Sequence, residues 1–165
     1  MSKLDERTAP HDRADRSAND EKPESALALR QREDEVVLKG LLVNSDEQVC
    51  QKLAETLGQC GLATVFASTV AESGTALAQH EVCIALCNDC LADGNYEDIV
   101  KLVGRSDTKV PVIVISKTGD WPEYLTAIRG GAFDYLPYPP IAGDLLRVIR
   151  NALLGYKRQR HLEDA

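Results

Sequence analysis

The sequence predicts a doubly wound α/β fold: a five-stranded parallel sheet with helices on both faces, preceded by a charged N-terminal extension. Three observations carry this. From residue 36 onward, short β-like runs alternate with segments of helical periodicity. Two of the runs, VCIALC (Val82 to Cys87) and VPVIVIS (Val110 to Ser116), are apolar almost throughout, as strands covered on both faces must be. Parallel neighbours also need a crossover between them, and the intervening helices supply it in the right-handed sense. A chain of 165 residues fits one such domain with some length left over, and its 44% hydrophobic content suffices for one core.

Residues 1–35 mix acids and bases, with Pro10 and Pro23 and no aromatic residue. Such a segment cannot bury enough surface to offset its ordering entropy, so disorder is expected up to about residue 24. SALALRQREDE, from Ser25, has better helix formers and could make a short helix. The domain itself is expected over 36–158, with 159–165 as a polar tail. LKGLLVN (Leu38 to Asn44) reads as the first strand, after which Asp46 stands where a helix N-cap belongs. Val49, Leu53, Leu57 and Cys60 recur at helical spacing, and Gly61 ends that helix. ATVFAS (Ala63 to Ser68) and VAESGTALAQH give the second strand and helix, and VCIALC the third strand. After a LADGN turn, Ile99, Val100, Leu102 and Val103 mark the third helix. VPVIVIS is the fourth strand, β-branched almost throughout. Trp121 to Arg129 is the fourth helix, closed by Gly130 and Gly131, and Phe133 to Leu136 the fifth strand. Leu145, Leu146, Val148, Ile149, Ala152 and Leu153 define a last amphipathic helix ending in KRQRHLEDA.

The net charge of -7 disfavours nucleic acid and anionic membrane, since both need a basic surface to neutralise phosphate. No apolar run approaches the roughly 20 residues that span a bilayer. The N-terminus lacks the apolar core of a signal peptide, so a cytoplasmic protein with reduced thiols is expected.

Doubly wound folds place ligands outside the carboxyl ends of their strands. Those ends are Asn44-Ser45-Asp46, Asn88-Asp89, Ser116-Lys117 and Pro137-Tyr138-Pro139. With the order of elements, their local strings resemble the receiver domain of response regulators, the CheY-like (βα)5 or flavodoxin-like fold, over about residues 37 to 158. LLVNSDE resembles the first strand and its acidic pair. CNDCLADGNY resembles the phosphoacceptor loop, VPVIVIS a fourth strand ending in Thr or Ser, and GGAFDYLPYPP the Gly-Ala-x-Asp-Tyr-Leu-x-Lys-Pro signature around the fifth.

The resemblance implies two-component phosphorelay signalling. In an active receiver, two acids and an acceptor aspartate hold Mg²⁺, a hard cation that takes oxygen ligands and neutralises the incoming phosphoryl group. A Thr or Ser and a Lys then bind the phosphoryl oxygens. Here the acidic pair falls on Asn44 and Ser45, the acceptor on Asn88 and the lysine on Tyr138; only Ser116 is retained. A carboxamide cannot form an acyl phosphate, and the changes remove both the charge that holds the metal and the charge that holds the phosphate. The expectation is a degenerate receiver without cofactor, metal or catalytic residue. An alternative shifts the register by one and makes Asp89 the acceptor, with Asp46 and Glu47 on Mg²⁺. Against it, Leu91, Asp93 and Gly94 fit the loop only with Asn88 as acceptor position, and a one-residue slip turns a strand side chain to the other face.

Cys87 and Cys90 form a Cys-x-x-Cys that could serve a thiol redox protein, a second alternative. A turn rather than a helix follows them, and no second pair completes a zinc site, although Cys83 lies nearby; small buried apolar residues are the simpler reading. Tyr135 matches the aromatic that receivers couple as a switch to the Thr or Ser. Its simpler reading is a half-buried strand residue with its hydroxyl in water. Pro139 is a candidate for a cis bond, the X-Pro peptide being the kind in which cis is cheap. Arg147, Arg150, Lys157, Arg158 and Arg160 along the last helix read as a solvated face, or, with Trp121 and Tyr124, as a surface for a protein partner or a second copy. The resulting expectation is a stand-alone, non-enzymatic signalling module that works by protein contact.

Overall fold

The computed structural model describes residues 37–105 and 109–164. The expected N-terminal extension therefore lies outside the described residues. Among the described residues, seven strands and five helices follow one another as β1 (Lys39–Val43), α1 (Glu47–Gln59), β2 (Ala63–Ala67), α2 (Val70–Gln79), β3 (Val82–Asn88), β4 (Cys90–Leu91), β5 (Gly94–Asn95), α3 (Tyr96–Gly104), β6 (Val112–Ser116), α4 (Trp121–Arg129), β7 (Asp134–Pro137) and α5 (Ala142–Asp164). Five of the strands form one parallel sheet in the order β2-β1-β3-β6-β7, the doubly wound arrangement expected from the sequence.

The order follows from burial. β3 and β6 are buried along almost their whole length and occupy interior positions, whereas β2, with Phe66 open to solvent, lies at the edge. Leu41, Ile84, Leu86, Ile113 and Ile149 are fully buried and join the sheet to the helices, each removing about 1.5–3 kcal/mol worth of side chain from water. The helix starts are fixed by side-chain caps. Asp46 accepts the Gln48 and Val49 N–H groups, Thr69 that of Glu72, and Asp120 that of Glu123. Asn95 and Asp98 form a reciprocal capping box on α3.

Two features depart from the sequence expectation. The LADGN turn is a small antiparallel hairpin, β4 with β5, pairing Cys90 with Asn95 and Leu91 with Gly94. Asp93 at its tip accepts the N–H groups of Val70 (2.7 Å) and Ala71 (3.1 Å), which ties the hairpin to the first turn of α2. These backbone donors hold its carboxyl below the usual carboxylate range. The chain after residue 158 is the second departure, since α5 continues to Asp164 instead of ending before a polar tail. Gln, Arg, Leu and Glu there are good helix formers, and an Arg160–Glu81 ion pair fastens the extension to the residue before β3. Among the described residues no helix is long and apolar enough to cross a membrane.

Candidate functional site at the strand ends

The carboxyl ends of β1, β3, β6 and β7 bring together most of the residues singled out in the sequence. Asn44 is almost fully buried just past β1, and its Oδ1 accepts the Asp46 N–H at 2.9 Å. Its carboxamide thus shapes the turn into α1. Ser45 beside it is exposed. Asn88 closes β3, and its Oδ1 accepts the Asp89 N–H at 3.0 Å. Ser116, fully buried at the end of β6, accepts the Thr118 N–H at 3.2 Å and donates its hydroxyl to Asp89 Oδ2 at 2.7 Å. Tyr138 follows β7, its N–H donating to the Ser116 carbonyl, and the Tyr138–Pro139 peptide is cis.

Asp89 does not turn away from the site. Strict alternation holds only within a strand, and β3 ends at Asn88; the Asn88 side chain then caps the next N–H and the chain bends. The Asp89 carboxylate swings onto Ser116, which a count of strand positions misses.

Lys117, named in the sequence only as part of a strand end and given no role there, also comes to the site. Its Nζ lies 3.7 Å from Asp46 Oδ2 and 5.8 Å from the centre of the Tyr138 ring. It follows Ser116 directly, one residue beyond β6, and that adjacency to a strand end was the available signal. Both partners of the ion pair are well exposed, so the contact contributes at most about 1 kcal/mol. Its consequence is electrostatic: the charge of Asp46 is balanced by a cation, whereas Asp89 takes a hydroxyl hydrogen from Ser116.

Among the described residues no three Asp, Glu, His or Cys side chains are grouped where they could hold a metal ion. Asp46 turns to Lys117 and Asp89 to Ser116, while Glu47 lines an open groove with Phe66, Ser68 and Glu72. The cysteine pair is divided. Cys87 is buried and gives its thiol hydrogen to the Asn88 carbonyl, whereas Cys90 is exposed; both are free. Burial, aided by the Asp89 charge, pushes the Cys87 thiol far up, which disfavours the thiolate that redox chemistry needs.

Tyr135 is buried, contrary to the expectation of a hydroxyl in water. Its O–H donates to Glu123 Oε2 at 2.9 Å, and its ring meets Tyr124 edge-on with centroids 6.4 Å apart. Glu123 was not anticipated, because its partner lies on another element. Burial, the bond to Glu123 and the charges of Glu123 and Asp89 push the phenol up to about 12, with Ser116 acting in the opposite sense. The native state then holds this proton more tightly than the unfolded chain, whose value is near 10.0. The stabilisation is complete below pH 10 and is lost as pH rises toward 12. Urea unfolding across that range should show a steeper loss of stability for the wild-type chain than for Tyr135→Phe.

Trp121 and Tyr124 stack on α4 with centroids 5.2 Å apart, and Trp121 keeps 68% of its surface exposed. Arg147 is exposed beside Asp144 on α5. Arg150 instead lines a groove with Gln59, Cys60 and Leu154, between the end of α1 and α5.

No protein-family model matches the chain. Residue-level similarity does. The chain is 30% identical over 115 residues to the response regulator protein PilR of Pseudomonas aeruginosa, covering 70% of this chain and 26% of PilR. It is 31% identical over 116 residues to the photosynthetic apparatus regulatory protein RegA of Rhodobacter capsulatus, covering 70% of this chain and 60% of RegA. A CheY-like receiver domain from Methanospirillum hungatei superposes on 76% of this chain and 99% of its own with a TM-score of 0.66 at 18% identity. The described fold is a response-regulator receiver domain. The chain spans only part of these curated relatives, about a quarter of PilR and three fifths of RegA. Within the receiver domain the strand-end cluster is the position at which the fold places ligands, and Asn44, Ser45, Asn88, Ser116 and Tyr138 stand there.

Proposed function

We propose that this receiver domain signals without accepting a phosphoryl group, and acts by docking a protein partner or a second copy of itself through the exposed surface of α4. The observation that carries the reading is Asn88. The resemblance to receivers aligns it with the acceptor position and aligns Asn44 and Ser45 with the acidic pair, and its Oδ1 accepts the N–H of the following residue. A carboxamide lacks the anionic, nucleophilic oxygen that attacks phosphorus to form an acyl phosphate. The cation brought to the cluster, Lys117, is engaged with Asp46.

One contact favours a second reading. Asp89 lies against Ser116, the hydroxyl that would bind a phosphoryl oxygen, so an acceptor role for Asp89 has a geometric basis. The acids that would have to hold its Mg²⁺ face elsewhere. The first reading therefore has more support.

On α4, the Trp121–Tyr124 stack presents a rigid aromatic area of the kind that anchors protein interfaces. Arg147 adds an exposed cation on α5. Association, followed by sedimentation for self-pairing and by capture of partners from the native cell, should be insensitive to phosphodonor and Mg²⁺. Trp121→Ala should weaken it at least tenfold, the usual cost of losing an aromatic anchor being above about 1.4 kcal/mol. Association that requires phosphodonor would contradict the reading.

A further inference from the structure

We propose that Asp89 is a built-in hydrogen-bond acceptor that fixes the loop after β6, and through it the α4 surface, in one arrangement. The proposal rests on the phosphorylation-independent reading and supplies what regulates that surface in place of a transferred group.

The contacts form a continuous path. Asp89 Oδ2 takes the Ser116 hydroxyl at 2.7 Å, and Ser116 Oγ in turn accepts the Thr118 N–H at 3.2 Å. Ser116 is fully buried, so its hydroxyl has no solvent to turn to if Asp89 is removed. Next in the loop is Gly119. A Cβ there would lie 2.3 Å from a ring carbon of Tyr135 and 2.4 Å from its hydroxyl oxygen, so Tyr135 occupies the space that glycine leaves. Tyr135 then donates to Glu123 in the first turn of α4 and packs edge-on against Tyr124, which also stacks with Trp121. The loop is therefore held at both ends, by an aspartate from the β3 end and by a tyrosine from β7.

Each hydrogen bond has a direction that makes the order matter. With its hydroxyl given to Asp89, Ser116 presents lone pairs to the Thr118 N–H. A Ser116 without Asp89 is free to rotate that hydroxyl toward the loop and disturb the same N–H. A charged acceptor makes the stronger version of this bond.

Amide hydrogen exchange of the full chain tests this, with β1 (Lys39–Val43) as internal reference. Asp89→Leu should speed exchange over residues 117–124 by roughly tenfold, as expected when a bond to a charged group is lost, and leave β1 unchanged. Asp89→Asn, which retains an acceptor oxygen of similar reach, should recover at least part of the protection. Gly119→Ala, which displaces Tyr135 from the other side, should loosen the same segment and shows that the segment can respond. Unchanged exchange in Asp89→Leu while Gly119→Ala loosens the loop would overturn the proposal, as would equal acceleration in β1 or an Asp89→Asn variant as loose as Asp89→Leu. Intact mass after exposure to a small phosphodonor reads the underlying assumption separately. A phosphoryl adduct on the wild-type chain would sink the phosphorylation-independent reading, whatever the exchange data give.

Discussion

Writing acids back into the three neutral strand-end positions, as Asn44→Asp, Ser45→Asp and Asn88→Asp together, should destabilise the fold by on the order of 2 to 4 kcal/mol at neutral pH. The site at present contains Asp46, balanced by Lys117, and Asp89, whose carboxylate takes the Ser116 hydroxyl. Three added carboxylates would meet those two at the ends of adjacent strands, and Asn44 is almost fully buried. Mutual repulsion and burial both raise the native-state values of the new acids above their unfolded ones. The penalty is therefore absent well below about pH 4, where the new acids are protonated folded and unfolded alike, and grows as pH rises from the unfolded values through the raised native ones. Mg²⁺ should recover much of the loss in the triple variant, because the new acids assemble the oxygen donors a hard cation takes. The wild-type melting temperature should not respond to the ion. Urea unfolding at two pH values, with and without Mg²⁺, reads all of this at once. Equal stability of variant and wild type at neutral pH would mean the neutral residues carry no electrostatic consequence.

Most of the fold was legible in the sequence because its signals are local. The VCIALC and VPVIVIS runs, apolar almost throughout and in the second β-branched, read as interior strands, and they occupy interior positions in the sheet. The caps at Asp46 and the glycines after Arg129 bounded helices that the structure places within a residue or two. The end of α5 was misplaced for an opposite reason. KRQRHLED is polar but strongly helix-forming, and the Glu81 that fastens it is 79 positions from Arg160, beyond any local pattern.

The site was legible as a set of positions but not as a set of contacts. Asn44, Asn88, Ser116 and Tyr138 could be placed at the strand ends by matching motifs. The direction of Asp89 depends on where β3 stops, and the arrival of Lys117 depends on Asp46 and Tyr138 being on two other strand ends. Glu123 became visible only once α4 was packed on β7. Alternation and helical period describe residues within one element, and these three contacts join residues across elements.

A side-by-side phosphorylation assay carries the largest difference expected of any variant. Restoring Asn88→Asp alone should not produce an acceptor, since Asn44 and Ser45 still offer no charge to hold a metal and Tyr138 no cation to receive the phosphoryl oxygens. Adding Asn44→Asp, Ser45→Asp and Tyr138→Lys supplies each missing part: an oxyanion nucleophile, a carboxylate cage for the metal, and a cation opposite Ser116. Intact mass should be recorded after incubation of the wild-type chain and this fourfold variant with a small-molecule phosphodonor and Mg²⁺. The wild-type mass should be unchanged, and the variant should carry an acid-labile phosphoryl adduct. An adduct on the wild-type chain that disappears in Asp89→Asn would contradict this and make Asp89 the acceptor.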